Sequence, residues 1–461
     1  MKNSTGLKVL LPLLIGLVLT GTAMATEKGL FRAAPAGTEP IPGVYIVQLS
    51  EGAVGAPAGE PRAASGVREL SGELARGYDL RVTRRWSHAL TGFVAEMTED
   101  EARRLARHPY VESVEQDFSV KAISSVPPDC YDNEEDPVNS RPLPVPFSGV
   151  WLQSIACSNP ATDCQDNWGL DRIDQRQRPV DGSLTLTQDG SGVNIFIFDT
   201  GIGHQSFEHR EFQKILTGVS RVDRTLGRNF TSEGSVSNTN DQLGHGTHVA
   251  AIAAGRTYGV AKDATLIPLK VCIRSSMCDT SDVIAGFNHA YALKTSLNGP
   301  AVGNFSANSS AWTNNFAMIT AIQNLAGVGV QLVQSAGNKN QGACNYSFGN
   351  STQAIVAGGV TVSDRRYKID EFVGSNYGPC VDLWAPAQQI VSASHIVDNR
   401  YCMLTGTSMA APHVTGALAL RLAQAPSSTP AQLKQWVTAN ATSGVLSGIG
   451  SASPNLLLYL P

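Results

Sequence analysis

The sequence has little charge and no large excess of either sign. Of its 461 residues only 16% are charged, and 35 lysines and arginines stand against 39 aspartates and glutamates, for a formal net charge of −4. A nucleic-acid partner requires a basic surface, so this balance argues against one, and it argues against an acidic tail as well. We find no internal repeat, which excludes a repeat architecture.

An apolar run long enough to span a membrane is also missing at the amino terminus. Lys2 and Lys8 precede an apolar core, Val9–Leu19, which falls short of the roughly 20 residues of a spanning helix. Ala23-Met24-Ala25 follows and completes the three-part layout of a secretory signal. We therefore expect a signal peptide at residues 1–25, no stable membrane anchor, and export to the extracellular space, with the periplasm as the alternative.

Export decides how the eight cysteines are interpreted, because disulfides are favoured over metal ligation outside the cytosol. Three of them precede residue 167, namely Cys130, Cys157 and Cys164. Five follow it: Cys272, Cys278, Cys344, Cys380 and Cys402. Both counts are odd, so if all eight cysteines pair, at least one disulfide must join the two parts of the chain.

The length of the chain suggests two domains, one of them large. From Gly43 to about Lys121 the pattern is that of a small α+β unit. It consists of strands at 44–49, 93–97 and 110–117 and an amphipathic helix at 99–108 that Pro109 closes. Residues 122–166, which follow, have the proline-rich and acidic composition of a linker.

The rest of the chain alternates apolar strand-like runs with helical runs. This alternation predicts an α/β fold in which a parallel sheet carries helices on both faces. Ligand sites of such sheets lie at the carboxyl ends of the strands. The run at 193–199 ends in Asp199, and the run at 331–334 leads through a tight turn to Asn338.

One serine lies in a distinctive run of small residues, GTSMAAPHV at residues 406–414, followed by an apolar helical pattern. A serine in the first turn of a helix lies beside free backbone N–H groups and the positive end of the helix dipole, where an oxyanion is stabilised. Pro412 is tolerated only near a helix start, which agrees with Ser408 at that start. The pattern favours a nucleophile, and the alternative is a buried helix whose serine only caps it.

A nucleophilic serine needs a base, and the chain offers His245 in the run GHGTHVA at residues 244–250. Asp199, at the end of its buried strand, could orient the histidine and stabilise its imidazolium. The order along the chain is Asp, His, Ser, which is the order of subtilisin and differs from that of chymotrypsin or the α/β-hydrolases.

With a fourth run, SAGN at residues 335–338, these motifs resemble the subtilisin-like serine proteases, and among them the proteinase K branch. The resemblance covers residues 167–461 and implies a subtilisin-like catalytic domain. It implies a serine endopeptidase with the triad Asp199, His245 and Ser408, acting as a monomer on proteins or peptides without a catalytic cofactor. It also implies that the amide of Asn338 binds the oxyanion together with the backbone N–H of Ser408.

Residues 26–121 resemble the inhibitory prodomains of the same family, which lay their carboxyl-terminal tail through the active site. The resemblance implies a self-processed precursor whose own prodomain is an intramolecular inhibitor. Residues 122–166 would be a cysteine-containing linker or an extension that survives prodomain removal.

The resemblance also points to substrate-binding residues: Ser306, Ala307, Asn308, Ala336 and Gly337. Asn308 stands where the family has glycine, so a large side chain at P1, the residue before the scissile bond, would lose space and leave the Asn308 amide unpaired. A facing edge segment maps to residues 276–280.

A calcium site and one disulfide are further expectations of the resemblance. Asp382 matches a calcium-ligating carboxylate of proteinase K, and hard oxygen ligands suit a structural calcium ion. Cys344 and Cys380 stand where a family member carries a disulfide. Three other pairings remain open choices: Cys157 with Cys164, Cys272 with Cys278, and Cys130 with Cys402.

Two other classes of function compete with a protease. A dinucleotide fingerprint requires glycines directly after the strand and an acid about 20 residues later, but here Asp199 comes first. A catalytically silent relative that only binds partners usually lacks a triad member, and none is missing. Three further histidines, His248, His289 and His413, are interpreted as packing or capping residues.

Overall fold

The computed structural model describes residues 29–122, 168–204, 208–214, 217–297, 299–308, 315–345, 353–396, 398 and 400–461, with the backbone of short strands at 129–130, 145–147 and 150–154. The predicted signal peptide, the first residue of the predicted catalytic domain (Asn167), and both Cys157 and Cys164 lie outside this part of the chain.

The amino-terminal unit is a sheet of order β1-β5-β2-β4-β3. Its strands are β1 Leu30–Arg32, β2 Glu39–Leu49, β3 Arg81–Ser87, β4 Thr91–Glu96 and β5 Val111–Lys121, and its helices are α1 Pro61–Tyr78 and α2 Glu99–Leu105. Buried side chains of α1, such as Val67, Leu70 and Leu74, pack against Val47 and Phe93 of the sheet. The predicted small α+β unit is confirmed, although α1 and β3 were not predicted.

Helix α2 is shorter than the sequence pattern predicted. A capping box starts it, because Thr98 accepts from the Glu101 N–H and the Glu101 carboxylate accepts from the Thr98 N–H. It ends at Leu105 rather than His108 because the chain tightens there into i to i−3 hydrogen bonds ahead of Pro109.

In the part of the chain that the structure describes, nine strands form the main sheet in the order β11-β12-β10-β14-β15-β16-β17-β21-β20. All neighbouring pairs are parallel except β20 with β21. The strands are β10 Asn194–Asp199, β11 Arg228–Asn229, β12 Thr265–Lys270, β14 Ala301–Phe305, β15 Val330–Ser335, β16 Ile355–Val360, β17 Leu383–Pro386, β20 Thr442–Ser443 and β21 Leu456–Leu457.

Helices cover both faces of this sheet, as the sequence predicted. Ile195 and Ile197 of β10 share one apolar cluster with helices α4 (His245–Ala254) and α7 (Thr407–Gln424). Phe196 and Phe198 share another with α5 (Thr280–Leu297) and α6 (Phe316–Gly327). Successive residues of a strand point to opposite faces, so the continuous apolar run of β10 is what burial on both sides requires. The α-helices after residue 167 are α3 Trp168–Ile173, α4 His245–Ala254, α5 Thr280–Leu297, α6 Phe316–Gly327, α7 Thr407–Gln424 and α8 Pro430–Asn440.

The segment at 122–166 is more than a linker, because short strands of it pair with strands that follow residue 167. β6 Asp129–Cys130 pairs with β19 Tyr401–Leu404, which also pairs with β18 Ile390–Ala393. β8 Val150–Ser154 pairs with β7 Val145–Phe147 and with β9 Ser183–Leu186. The remaining strand, β13 Met277–Asp279, pairs antiparallel with β5.

Disulfides join Cys344 to Cys380 and Cys272 to Cys278, which confirms both pairings. Cys402 is also in a disulfide, and the register of the β6–β19 ladder sets Cys130 opposite it.

Within the described residues, no helix combines the length and apolarity that crossing a membrane requires.

Candidate active site

Asp199 and His245 meet at the carboxyl end of the central strand β10. Asp199 is the last residue of β10 and His245 the first of α4, and the His245 Nδ1 lies 2.7 Å from the Asp199 Oδ1. The approach needs Gly246, since a Cβ there would lie 2.2 Å from the Gly201 carbonyl oxygen. The contact between Asp199 and His245 therefore depends on a close backbone approach that only a glycine at position 246 permits.

The environment of His245 favours a base with one nitrogen available. Burial lowers the pKa of His245, but the nearby Asp199 carboxylate outweighs it, so the pKa is raised above its ordinary value. The other ring nitrogen, Nε2, is buried and has no hydrogen-bond partner among the described residues. With Nδ1 held by a carboxylate, Nε2 is the nitrogen left to accept a proton.

Ser408 lies in the first turn of α7, as the sequence predicted. Helices α4 and α7 pack against each other, which brings the histidine and serine elements together. The Ser408 Oγ donates to the Ser306 carbonyl oxygen at 3.0 Å, and the Ser306 Oγ donates to the Ser408 carbonyl oxygen at 3.0 Å. This reciprocal pair joins the predicted nucleophile to the predicted substrate segment.

Asn338 is fixed against the start of the same helix. Its Oδ1 accepts from the Thr407 N–H at 2.8 Å and from the Thr407 Oγ1 at 3.0 Å. Because these contacts commit the oxygen, the Nδ2 end of the amide is the donor end and points the other way. Gly337, before it, has a φ of 97°, and a Cβ there would meet the Asn376 side chain at 2.5 Å. The turn therefore requires glycine.

The predicted substrate-binding residues line two facing chain segments. Ala307 and Ala336 bury their side chains in apolar clusters, so what they offer a substrate is backbone. Asn308 is different, because its Nδ2 donates to the Ser335 Oγ and its Cγ lies 3.6 Å from the Cβ position of Gly337. The Asn308 side chain thus connects the two segments. Its Nδ2 pairs with the Ser335 Oγ, a contact that the sequence did not predict.

The end of β5 runs between β13 and the segment that contains Asn308. On one side β13 pairs with it, with Met277 opposite Lys121 and Cys278 opposite Val120. On the other side Lys121 and Asn308 exchange both backbone hydrogen bonds, at 2.9 and 3.0 Å. The tail of the amino-terminal unit therefore lies as the middle strand of a three-stranded arrangement, and the predicted edge segment is one of its borders.

Comparison with known proteins agrees with this arrangement. Residues 190–453 match the model of the Subtilase family, and residues 44–122 match that of the peptidase inhibitor I9 family. This chain belongs to the subtilase family. It is a serine endopeptidase of subtilisin-like fold that carries an inhibitor-type prodomain.

Named relatives are proteases as well. An extracellular serine proteinase of Thermus sp. (strain Rt41A) is 36% identical over 434 residues, which cover 92% of this chain and 90% of the relative. The alkaline serine exoprotease A of Vibrio alginolyticus is 33% identical over 383 residues, 83% of this chain and 61% of the relative. The crystal structure of a cold adapted subtilisin-like serine proteinase matches with a TM-score of 0.56 and 36% identity, covering 64% of this chain and 99% of that one.

Three other histidines, His248, His289 and His413, contact backbone carbonyl oxygens. Burial lowers the pKa of His248 to about 3 and that of His413 to about 4. The His248 Nε2 contacts the carbonyl oxygens of Ile390 and Cys402, and the His413 Nδ1 contacts that of Met409. His289 likewise contacts a backbone carbonyl oxygen.

Sequence reasoning missed Asp241, which builds the turn before His245. One carboxylate oxygen accepts from the Gly244 N–H at 2.8 Å and from the Thr200 hydroxyl at 2.8 Å. The other accepts from the N–H and hydroxyl of Thr247. Burial opposes the charge of Asp241, but the Thr247 and backbone hydrogen bonds win and lower its pKa. The sequence signal that could have identified Asp241 is the position of this aspartate four residues before His245.

Sequence reasoning also missed the prodomain carboxylates that meet the catalytic part. Glu115 accepts the N–H groups of Phe316 and Ala317, both at 3.0 Å, at the start of α6. Asp117 accepts the Thr280 hydroxyl at 2.6 Å and the Ser281 N–H at 3.1 Å, at the start of α5. Both carboxylates sit where a helix presents unpaired N–H groups and a positive dipole end.

Asp382, the expected calcium ligand, contacts protein groups on both oxygens. Oδ2 accepts from the Val356 N–H at 2.9 Å, and Oδ1 lies 2.9 Å from the Lys434 ammonium. Within the described residues, no group of three or more His, Cys, Asp or Glu side chains is arranged to hold a metal ion.

Proposed function

We propose that this subtilase is a secreted, monomeric endopeptidase of the proteinase K branch that works through Asp199, His245 and Ser408. The observation that supports it most is the 2.7 Å contact of Asp199 with the His245 Nδ1, which leaves Nε2 to act as the base. The Thermus relative is an extracellular serine proteinase, which supports secretion.

The chemistry follows from these positions. The His245 Nε2 takes the proton of the Ser408 hydroxyl as its oxygen attacks a peptide carbonyl carbon, and Asp199 stabilises the imidazolium that forms. The Asn338 Nδ2 and the Ser408 backbone N–H donate to the oxyanion. Collapse of the tetrahedral intermediate leaves an acyl-enzyme and gives the proton to the leaving amine, and water then releases the acid by the same route.

The decisive experiment is Ser408→Ala in the full chain. We expect peptide hydrolysis to fall on the order of 10⁶-fold, the loss measured for the equivalent change in subtilisin, and the precursor to remain uncleaved. A fluorophosphonate probe should label the wild type and not the variant. Normal processing of a pure Ser408→Ala preparation would refute the triad, and failure of the wild type to react would favour the silent relative.

We further propose that the precursor cleaves its own chain, and that the strand register identifies the peptide bond that is cleaved. Lys121 pairs with Asn308, so an antiparallel ladder continued by two residues sets residue 123 opposite Ser306. The Ser306 carbonyl oxygen is the one that the Ser408 Oγ contacts. The register therefore predicts cleavage between Ile123 and Ser124.

Amino-terminal sequencing and intact mass of the first processed species test the register. A chain that begins at Ser124 is the expected result. A first cut elsewhere, with the triad intact, would contradict the register without touching the triad assignment.

A further inference from the structure

The cationic group beside Asp382 is the ammonium of a lysine side chain, Lys434. The Lys434 Nζ lies 2.9 Å from the Asp382 Oδ1 and donates to the Ala354 carbonyl oxygen at 2.9 Å. A carboxylate and a backbone carbonyl are the hard oxygen ligands that calcium takes. Here both oxygens face an ammonium group instead.

Charge and space at this position favour the lysine. One carboxylate and one ammonium balance each other, so a divalent ion added beside the lysine would bring positive charge that nothing here compensates. A calcium ion within bonding distance of the Asp382 Oδ1 would also lie close to the Lys434 ammonium, and like charges at such separation repel strongly. The oxygens of Asp382 and Ala354 therefore do not fit a calcium ion while Lys434 is in place.

The contacts of Lys434 with Asp382 and Ala354 also connect separate elements of the fold, as a structural ion would. Lys434 belongs to α8, while Ala354 and Asp382 immediately precede the neighbouring strands β16 and β17. The Val356 N–H fixes the second oxygen of Asp382 at 2.9 Å, so the carboxylate is held toward the lysine. The side chains of Lys434 and Asp382 are only 28% and 22% exposed, which limits competition by water.

We propose that Lys434 takes the place of a structural calcium ion at Asp382. The ammonium fastens α8 to the starts of β16 and β17, and the subtilase binds no calcium at this position. Removal of the lysine side chain frees the oxygens of Asp382 and Ala354 and converts the position into a calcium site.

The test uses the full chain in a Ser408→Ala background, which avoids autolysis and does not alter this position. Calcium bound per chain is counted by equilibrium dialysis with metal analysis, so that ions bound elsewhere cancel in the comparison. We expect Asp382→Asn to leave the count unchanged. We expect Lys434→Ala to raise the count by one, and the double variant Lys434→Ala/Asp382→Asn to return it to the wild-type value.

Thermal unfolding with and without millimolar calcium gives a second readout. Lys434→Ala should melt lower than its parent in chelator, and calcium should restore the lost melting temperature. A matched control is Lys214→Ala, which removes the surface pair with Asp263, and calcium should not rescue it. Loss of a bound calcium ion in Asp382→Asn, or a Lys434→Ala deficit that calcium leaves unchanged, would overturn the proposal.

Discussion

Glu115 should decide how tightly the processed prodomain stays bound. This β5 residue accepts the N–H groups of Phe316 and Ala317, both at 3.0 Å, and it is 3% exposed. A carboxylate at the positive end of a helix forms charge-assisted hydrogen bonds. In Glu115→Ala the same two N–H groups would stay covered by the prodomain without an acceptor.

The magnitude follows from the number of bonds lost. A hydrogen bond to a charged group contributes about 1.5 to 3 kcal/mol, so the loss of two costs about 3 kcal/mol at the lower limit. That corresponds to an increase in the dissociation constant on the order of 100-fold. The α6 start retains its own cap in either case, because the Asn315 Oδ1 accepts from the Met318 N–H at 2.7 Å.

The assay measures how activity appears on dilution. Processed wild type and Glu115→Ala are diluted in series, and initial peptidase rates are recorded before the released prodomain is degraded. The variant should become active at roughly 100-fold higher enzyme concentration. Glu112→Ala is the matched control, since Glu112 lies on the same strand and has no side-chain partner within the described residues. Equal release of Glu115→Ala and wild type would refute the reasoning.

Three further predictions concern pH, stability and specificity. The Asp199 carboxylate raises the pKa of His245, and the histidine must be neutral to act as a base. The kcat/KM of the wild type should therefore fall as the pH drops through a midpoint above about 6.5. Asp199→Asn should lower this midpoint and reduce activity by about 10⁴-fold. Replacing both Cys344 and Cys380 by serine opens a loop with a sequence separation of 36 and should lower the free energy of unfolding by about 3 to 4 kcal/mol in denaturant titrations. Asn308→Gly should raise kcat/KM for phenylalanine or tyrosine at P1 by about tenfold in a peptide library, and an unchanged profile would mean that Asn308 lies outside the pocket.

The parts of the site that the sequence predicted are local. Asp199 ends an apolar strand and Ser408 starts a small-residue helix, and each of these features is written in fewer than ten adjacent residues. The alternation of strands and helices likewise predicted a parallel sheet covered on both faces, which is confirmed. Within one element, burial and helix-end chemistry depend on neighbours along the chain, so the pattern carries the information.

The parts that were missed depend on contacts between distant residues. β6 is two residues long and pairs with β19, far along the chain, so no periodicity marks it. The contact of Asn308 with Ser335 and that of Asp382 with Lys434 join separate elements in the same way. The resemblance predicted that Asp382 binds calcium, and nothing in the sequence near residue 382 indicates that the Lys434 ammonium lies beside it.

The affinity of the cleft for the prodomain and its affinity for substrates depend on different sets of contacts. The tail holds the cleft through backbone hydrogen bonds to Asn308 and β13, and any extended substrate can form the same bonds. Strengthening that ladder would tighten prodomain and substrate alike, so it cannot by itself make the prodomain the better ligand. Glu115 and Asp117 lie outside the ladder and contact the starts of α6 and α5, which a short peptide in the cleft does not reach. These two carboxylates therefore add affinity for the prodomain that a short peptide lacks, and changing them should loosen inhibition while leaving the KM for short peptides unchanged.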